Sequence, residues 1–274
     1  MSATPDLKKR VHDFWNDESC GEVYALDGET QLDLARQAEA RYALEPYLEG
    51  FARFADGRDR DVLEIGVGMG ADHERWAASR PHSLTGMDLT ERAIEFTGAR
   101  LRAAGHTSIL RTADAENLPF PDRSFDLVYS WGVLHHSPDT QRCFEEVRRV
   151  LRPGGQARIM VYQRNSIVGL MLWIRYGLLA GRPRRDLDDI YFHHLESPGT
   201  KCFTVAAADG MLRRAGFSEV SVRPQLSHGD LLLGAVGQRH QGPLLTIAKA
   251  LWPRFLLRRL AGRFGLYLLI EARR

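Results

Sequence analysis

The stretch Val62-Leu63-Glu64-Ile65-Gly66-Val67-Gly68-Met69-Gly70, with Asp88 eighteen residues past its last glycine, decides the reading of this chain. An apolar run ending in three alternating glycines predicts a buried strand that turns sharply into a helix. Glycine reaches positive φ without strain and lets a ligand approach where a Cβ would stand in the way. Asp88 closes a second apolar run, Leu84-Thr85-Gly86-Met87, and so belongs at the end of a neighbouring strand. An acid there accepts hydrogen bonds from both hydroxyls of a ribose. Together these features predict a nucleoside-binding site.

The glycine spacing narrows the choice of nucleoside. A dinucleotide fingerprint needs G-x-G-x-x-G, so that a pyrophosphate rests on the helix N-terminus. From Gly66 this chain reads G-x-G-x-G, followed by Ala71 and Asp72. Asp72 brings negative charge to the helix N-terminus, where it would repel a diphosphate, and Glu64 adds another acid before the loop. A ligand with a cationic amino-acid moiety suits such a loop better. S-adenosylmethionine is one, with an ammonium, a sulfonium and a ribose. A nicotinamide-dependent reductase is disfavoured by the missing G-x-x-G step.

Outward from the loop, strand and helix patterns alternate. Strands are expected at 61–65, 83–87, 108–112, 125–130 and 157–162, and helices at 71–79, 91–104 and 141–151. Gly105 closes the second of these helices, and Pro153-Gly154-Gly155 stops the third. Such alternation predicts a parallel sheet with helices on both faces. Ligands bind beyond the carboxyl ends of such strands, where Glu64 to Gly70, Asp88, Asp114 and Ser130 fall. Further strands are expected at 218–222 and 266–270.

Composition sets the frame. The 274 residues are 44% hydrophobic and 26% charged, with a net charge of +2, as in an ordinary globular protein. Met1 to Arg10 is polar with no apolar core, so no secretory signal is expected. Cys20, Cys143 and Cys202 form no C-x-x-C pair, which argues against zinc ribbons and disulfide scaffolds and fits a reducing cytoplasm. No metal site is expected.

Five motifs in order carry a family resemblance: Glu64-Ile65-Gly66-Val67-Gly68-Met69-Gly70, Asp88-Leu89, Asp114-Ala115-Glu116-Asn117-Leu118-Pro119-Phe120, Phe125-Asp126-Leu127-Val128 and Val150-Leu151-Arg152-Pro153-Gly154-Gly155. Over about residues 61–162 the chain resembles class I S-adenosylmethionine-dependent methyltransferases, in particular the small-molecule members grouped as methyltransferase type 11. The resemblance implies a Rossmann-like seven-stranded α/β sheet, mostly parallel, with the seventh strand antiparallel between the fifth and sixth. It implies that Glu64, Gly66, Gly68 and Gly70 line the methionine part of the cofactor, that Asp88 binds the ribose and that Leu89 packs beside the adenine. Asp114 and Ala115 would meet the adenine edge. Ser130, Trp131 and His135 would border the sulfonium and its surroundings, with His136 a candidate for proton transfer. Activity would be methyl transfer to a small or lipophilic metabolite, at oxygen, nitrogen or carbon, by in-line displacement. The alternative is a cofactor-binding regulatory or assembly protein without turnover.

The flanking regions are expected to shape the substrate site. An N-terminal cap (1–60) contains a helical stretch at about 33–55, with Trp15 and Tyr24 as ring residues to enclose substrate and cofactor. The cofactor core is 61–162. The substrate-side half, 163–274, has helical insertions at about 164–200 and 226–265. Tyr191, His193 and His194 are candidates for shaping and proton handling, with His228 a further one. No Asp or Glu occurs from Val147 to Arg185 or from Leu231 to Ile270, and both stretches mix aliphatics with arginines. These read as basic amphipathic elements, for core packing or a homodimer contact, or for the inner face of a membrane and lipid substrates. Nucleic acid is not expected, because aliphatics dominate both stretches.

Overall fold

The computed structural model describes residues 4–17, 31–233, 252–260 and 262–274. Tyr24 and much of the second basic stretch, 234–251, lie outside the described residues. Seven strands form one sheet: β1 (Asp61–Ile65), β2 (Ser83–Asp88), β3 (Ile109–Thr112), β4 (Phe125–Trp131), β5 (Leu151–Tyr162), β6 (Ser218–Gln225) and β7 (Tyr267–Arg273), in the order β3-β2-β1-β4-β5-β7-β6. The first five are parallel, and β7 runs antiparallel to both β5 and β6. This is the topology that the resemblance implied.

Period-two alternation, with both faces covered, explains why the central strands are mostly apolar. Leu63, Ile65 and Val128 pack on one face, under α6 (Thr140–Val150) and α9 (Val205–Arg214). Val62, Leu127 and Tyr129 pack on the other, under α3 (Leu48–Ala52) and α4 (Ala71–Ala78), whose Trp76 is fully buried. Burial on both faces favours apolar side chains at most positions, and polar exceptions such as Glu64 and Ser130 are hydrogen-bonded. Local signals set the helix starts. The side chains of Asp139 and Thr204 accept the backbone N–H groups of Arg142 and Ala207, capping α6 and α9. Thr90 caps α5 (Glu91–Ala103) through Ala93.

Two expectations need correction. The helix expected over 33–55 is broken: α2 (Gln31–Leu44) ends before Glu45-Pro46, and α3 starts two residues later. Proline cannot donate the helical hydrogen bond and pushes its predecessor out of the helical region. Strand β5 begins at Leu151, six residues earlier than expected. Leu151 pairs with Phe125, and Gly154 donates to Arg274 beyond β7, so the Pro-Gly-Gly segment is held at the start of β5, between β4 and β7.

The N-terminal elements and the insertions gather at the carboxyl ends of the strands. Helix α1 (Thr4–Asp17) reaches the β3–β4 loop through Lys8. The first insertion supplies α7 (Ile167–Trp173) and α8 (Leu187–His194), and the second supplies α10 (Arg254–Leu260). The buried Asp230 carboxylate accepts from the backbone N–H of Val168, Ser227 and Leu266, and Trp252 donates to its carbonyl. One side chain thus anchors both insertions.

Asp72, in the first turn of α4, ties the cap to the core. It accepts two bonds from Arg41, at 3.0 and 2.7 Å, one from Tyr42 at 3.0 Å and one from Tyr129 at 2.8 Å. Asp72→Ala leaves a largely buried guanidinium and two hydroxyls without their acceptor and should cost about 3 kcal/mol. Chemical denaturation checks this, and a loss below about 1 kcal/mol would contradict it.

Candidate functional site

The three glycines sit at φ +83°, +51° and +75°, all in the left-handed region. A Cβ on Gly66 would overlap Val133, and one on Gly70 would meet the Thr97 backbone at 3.0 Å. The turn therefore needs glycine both for its dihedral angles and for close packing. The Gly66 N–H donates to Met87 O at 2.7 Å, and the Gly68 N–H donates to Asp88 at 3.2 Å. From behind, the fully buried Arg100 of α5 donates to Met69 O at 2.7 Å and to Gln37 of α2 at 2.6 Å. The sequence contained no signal for this buttress, which joins residues far apart in the chain.

Around this loop lies a cavity of about 290 Å³. Glu64, Gly66, Gly68, Gly70, Asp88, Leu89, Asp114 and Ala115 all line it, as expected for the cofactor half. Asp88 takes the Thr90 N–H and hydroxyl on one oxygen, each at 3.0 Å, and Gly68 on the other. Burial raises its pKa. Asp114 accepts from Lys8 at 2.5 Å and from the Glu116 N–H at 2.9 Å, so α1 closes over this end.

The acids near the loop behave differently from a bare negative patch. The charge of Asp72 is matched by Arg41, which holds its pKa down although burial opposes this. Glu64 faces His73 at 2.9 Å, and His73 also faces the Ser108 hydroxyl at 2.8 Å. Ser108 spends its hydrogen on Leu84 O, so it accepts from His73. That places a ring proton on Nε2, and the 2.9 Å contact holds one further proton between Nδ1 and the Glu64 carboxyl. The pKa directions agree: burial raises Glu64, and it lowers His73 to about 3. Both directions favour the proton on Glu64 over an ion pair with His73. Asp72, by contrast, carries its charge in the pair with Arg41.

The acceptor half is aromatic. Trp15, Leu44, Trp131, Met160, Tyr162 and Tyr267 line it, together with His136. His136 Nδ1 lies 2.8 Å from the Ser197 hydroxyl and 3.2 Å from that of Thr200, and its Nε2 is 3.5 Å from Glu196. The nitrogens of His135 and His136 and the Glu196 carboxylate come within 4.8 Å of one another.

Five expected residues lie elsewhere. Ser130 is fully buried and donates to Ile65 O at 3.0 Å, bracing β4 against β1 instead of facing the cavity. His135 is also fully buried and does not line the cavity. Its ring packs 4.0 Å from that of Tyr162, and burial lowers its pKa well below the usual value. His193 sits on the outer face of α8 beside Asp189, and His194 stacks on Tyr176 at 3.9 Å. Tyr191 is fully buried and donates to Arg164 O at 2.6 Å, so it anchors α8. Unforeseen lining residues are Lys8, Gln37, Arg41, Glu45, Glu196 and Tyr267. They come from the cap, a loop and the last strand, where no local motif marks them.

Residues 63–159 match the methyltransferase domain family. The chain is 34% identical over 147 residues to 27-O-demethylrifamycin SV methyltransferase of Amycolatopsis mediterranei, covering 53% of this chain and 48% of that protein. It is 39% identical over 116 residues to fatty-acid O-methyltransferase of Mycolicibacterium smegmatis, covering 42% of this chain and 41% of that protein. The chain thus spans about half the length, or less, of these curated relatives. Among solved structures, phospholethanolamine N-methyltransferase 2 of Haemonchus contortus, in complex with phosphomonomethylethanolamine and S-adenosylhomocysteine, superposes with a TM-score of 0.60. It shares 16% identity, and the match covers 96% of this chain and 60% of that one. Residues 63–159 thus carry a methyltransferase domain, in the fold of class I S-adenosylmethionine-dependent methyltransferases.

The glycine turn and Asp88 at the end of β2 fit that cofactor. Asp88→Ala should weaken S-adenosylhomocysteine binding about 100-fold, the worth of two hydrogen bonds to a charged acceptor, as read by calorimetric titration. Because burial raises the Asp88 pKa and the protonated carboxyl loses acceptor capacity, affinity should fall on acidification at a pH above the usual aspartate value of about 3.9. An affinity flat down to that pH would contradict the assignment.

Proposed function

We propose that this protein transfers a methyl group from S-adenosylmethionine to a hydroxyl of a small lipophilic metabolite. The observation that carries this reading is the cavity, which runs from the glycine turn and Asp88 into an aromatic compartment with His136 in its wall. Of the two relatives named above, one is by its name a methyltransferase of 27-O-demethylrifamycin SV and the other a fatty-acid O-methyltransferase. The cofactor, when bound, supplies an activated methyl on a sulfonium leaving group. This chain's own task is then to hold the acceptor in line and dry. The rings of Trp15, Trp131, Tyr162 and Tyr267 do the first by shape and the second by excluding water.

In this reading His136 takes the hydroxyl proton. Thr200 spends its hydroxyl hydrogen on Ser197 O at 2.7 Å, so it can only accept from His136 Nδ1. A proton on Nδ1 leaves Nε2 with its lone pair. Glu196, 3.5 Å away, then stabilises the imidazolium that proton transfer creates. His136→Ala should lower turnover about 100-fold with S-adenosylhomocysteine affinity unchanged, and chelation by EDTA should leave the rate as it was. Labelled methyl transfer to a panel of lipophilic phenols and hydroxy acids reads both. Full activity in the variant would remove the base, and loss with EDTA would move the role to a metal held by His135, His136 and Glu196. No transfer to any acceptor, with cofactor binding intact, would favour the regulatory reading.

A second reading concerns how such acceptors arrive. No helix among the described residues is long and apolar enough to cross a membrane. Leu170, Ile174, Leu178 and Leu179 are nevertheless exposed along α7 and the turns after it, as are Phe255 and Leu256 on α10. Arg175, Arg182, Arg184, Arg258 and Arg259 accompany them. This mixture supports peripheral contact with an anionic lipid surface. Binding to phosphatidylglycerol vesicles should weaken with salt and fall at least threefold in Arg258→Glu/Arg259→Glu. Unchanged co-sedimentation would end this reading, and a concentration-dependent dimer would assign the face to a second copy.

A further inference from the structure

The aromatic compartment has a second polar end that the methyl-transfer chemistry leaves unused. Glu45, at the break between α2 and α3, is 4% exposed and lines the cavity. Its Oε1 accepts from Tyr267 at 2.7 Å, but its Oε2 has no hydrogen-bond partner among the described residues. Arg41 Nη1 lies at 3.8 Å, beyond hydrogen-bond reach, and its guanidinium is already turned to Asp72. His228, another cavity residue, brings Nδ1 to 3.6 Å from Oε1, likewise without a hydrogen bond. A buried carboxylate oxygen without a donor is costly, so its place on a cavity wall points to a ligand group that completes it.

The chemistry of that group follows from the pair. Glu45 offers an acceptor, while the imidazole of His228 offers a donor or acceptor according to its tautomer. A neutral hydroxyl both donates and accepts, so it answers both at once. An ammonium only donates and would also stand near the Arg41 cation. The rings of Tyr162 and Tyr267, stacked 5.8 Å apart, lie between this end and His136, whose ring is 6.3 Å from that of Tyr162. An acceptor lying along these rings has one end at His136 and the other at Glu45.

We propose that Glu45 and His228 form a hydroxyl-reading subsite, so that the favoured acceptors are lipophilic compounds carrying a second hydroxyl remote from the one that is methylated. The proposal rests on the methyl-transfer reading for the first hydroxyl, but its own test reads binding alone. With the protein saturated with S-adenosylhomocysteine, 4,4′-dihydroxybiphenyl, 4-hydroxybiphenyl and 4-(aminomethyl)-4′-hydroxybiphenyl are titrated calorimetrically. The diol should bind about tenfold more tightly than the mono-ol and more tightly than the cationic amine. Glu45→Met should abolish this advantage while leaving S-adenosylhomocysteine affinity unchanged. His228→Ala, at a partly exposed position that tolerates truncation, should reduce it at least threefold and guards against a misfolded Glu45 variant. Equal responses to diol and mono-ol in the native protein, nil included, overturn the subsite. Preference for the amine overturns the hydroxyl assignment. Loss of S-adenosylhomocysteine affinity in Glu45→Met, with the diol advantage retained, assigns Glu45 to the cofactor instead. Failure of methyl transfer with the diol preference intact would count against the activity and not against this subsite.

Discussion

The carboxylate of Asp72 is the interaction on which the site depends. It lies in the first turn of α4, where the partial positive charge of the helix favours an anion. It collects Arg41 and Tyr42 from α2 and Tyr129 from β4. Because the same turn of chain begins at Gly70, the cap helix is fixed directly over the glycine loop. That fixes Leu44, Glu45 and Gln37 against the cavity as well. Arg100 repeats the connection from the other side, joining α5 to Gln37 and to the loop carbonyl of Met69. The loop is therefore held between two buried cations, and its shape does not rest on glycine alone.

Electrostatics divides the cavity. Near the glycine turn, Asp88 is a half-buried acid held by backbone donors, while burial and the charge of Asp72 push the pKa of Glu64 up. At the acceptor half, polar atoms are sparse and separated by rings. A water-poor wall of this kind strengthens whatever hydrogen bonds are made inside it. In the proposed reading, His136 and Glu45, one at each end of the rings, carry the discrimination between acceptors.

Much of the sheet was legible from the chain because burial on both faces imposes apolar runs, and the turns between them need glycine, proline or a capping side chain. Asp88 was legible for the same reason: residue type and strand end coincide. Ser130 and His135 were misplaced because a strand end and a short 3-10 turn (Leu134–His136) decide which side a side chain faces. That parity depends on register with β1 and β5, not on local sequence. His193 and His194 were misplaced because α8 buries Ile190 and Tyr191 and turns both imidazoles away from the cavity.

The sequence by itself determined the doubly covered sheet, the glycine turn and the acid at the end of β2, since each follows from periodicity, backbone freedom or residue chemistry within a short window. Only the tertiary structure decided the acceptor half. Glu45 meets Tyr267 across 222 residues and His136 meets Ser197 across 61. Such pairings arise when the cap, a loop and the last strand close on the same strand ends. No local pattern encodes them, because the free energy that selects them comes from burial shared by elements distant in the chain.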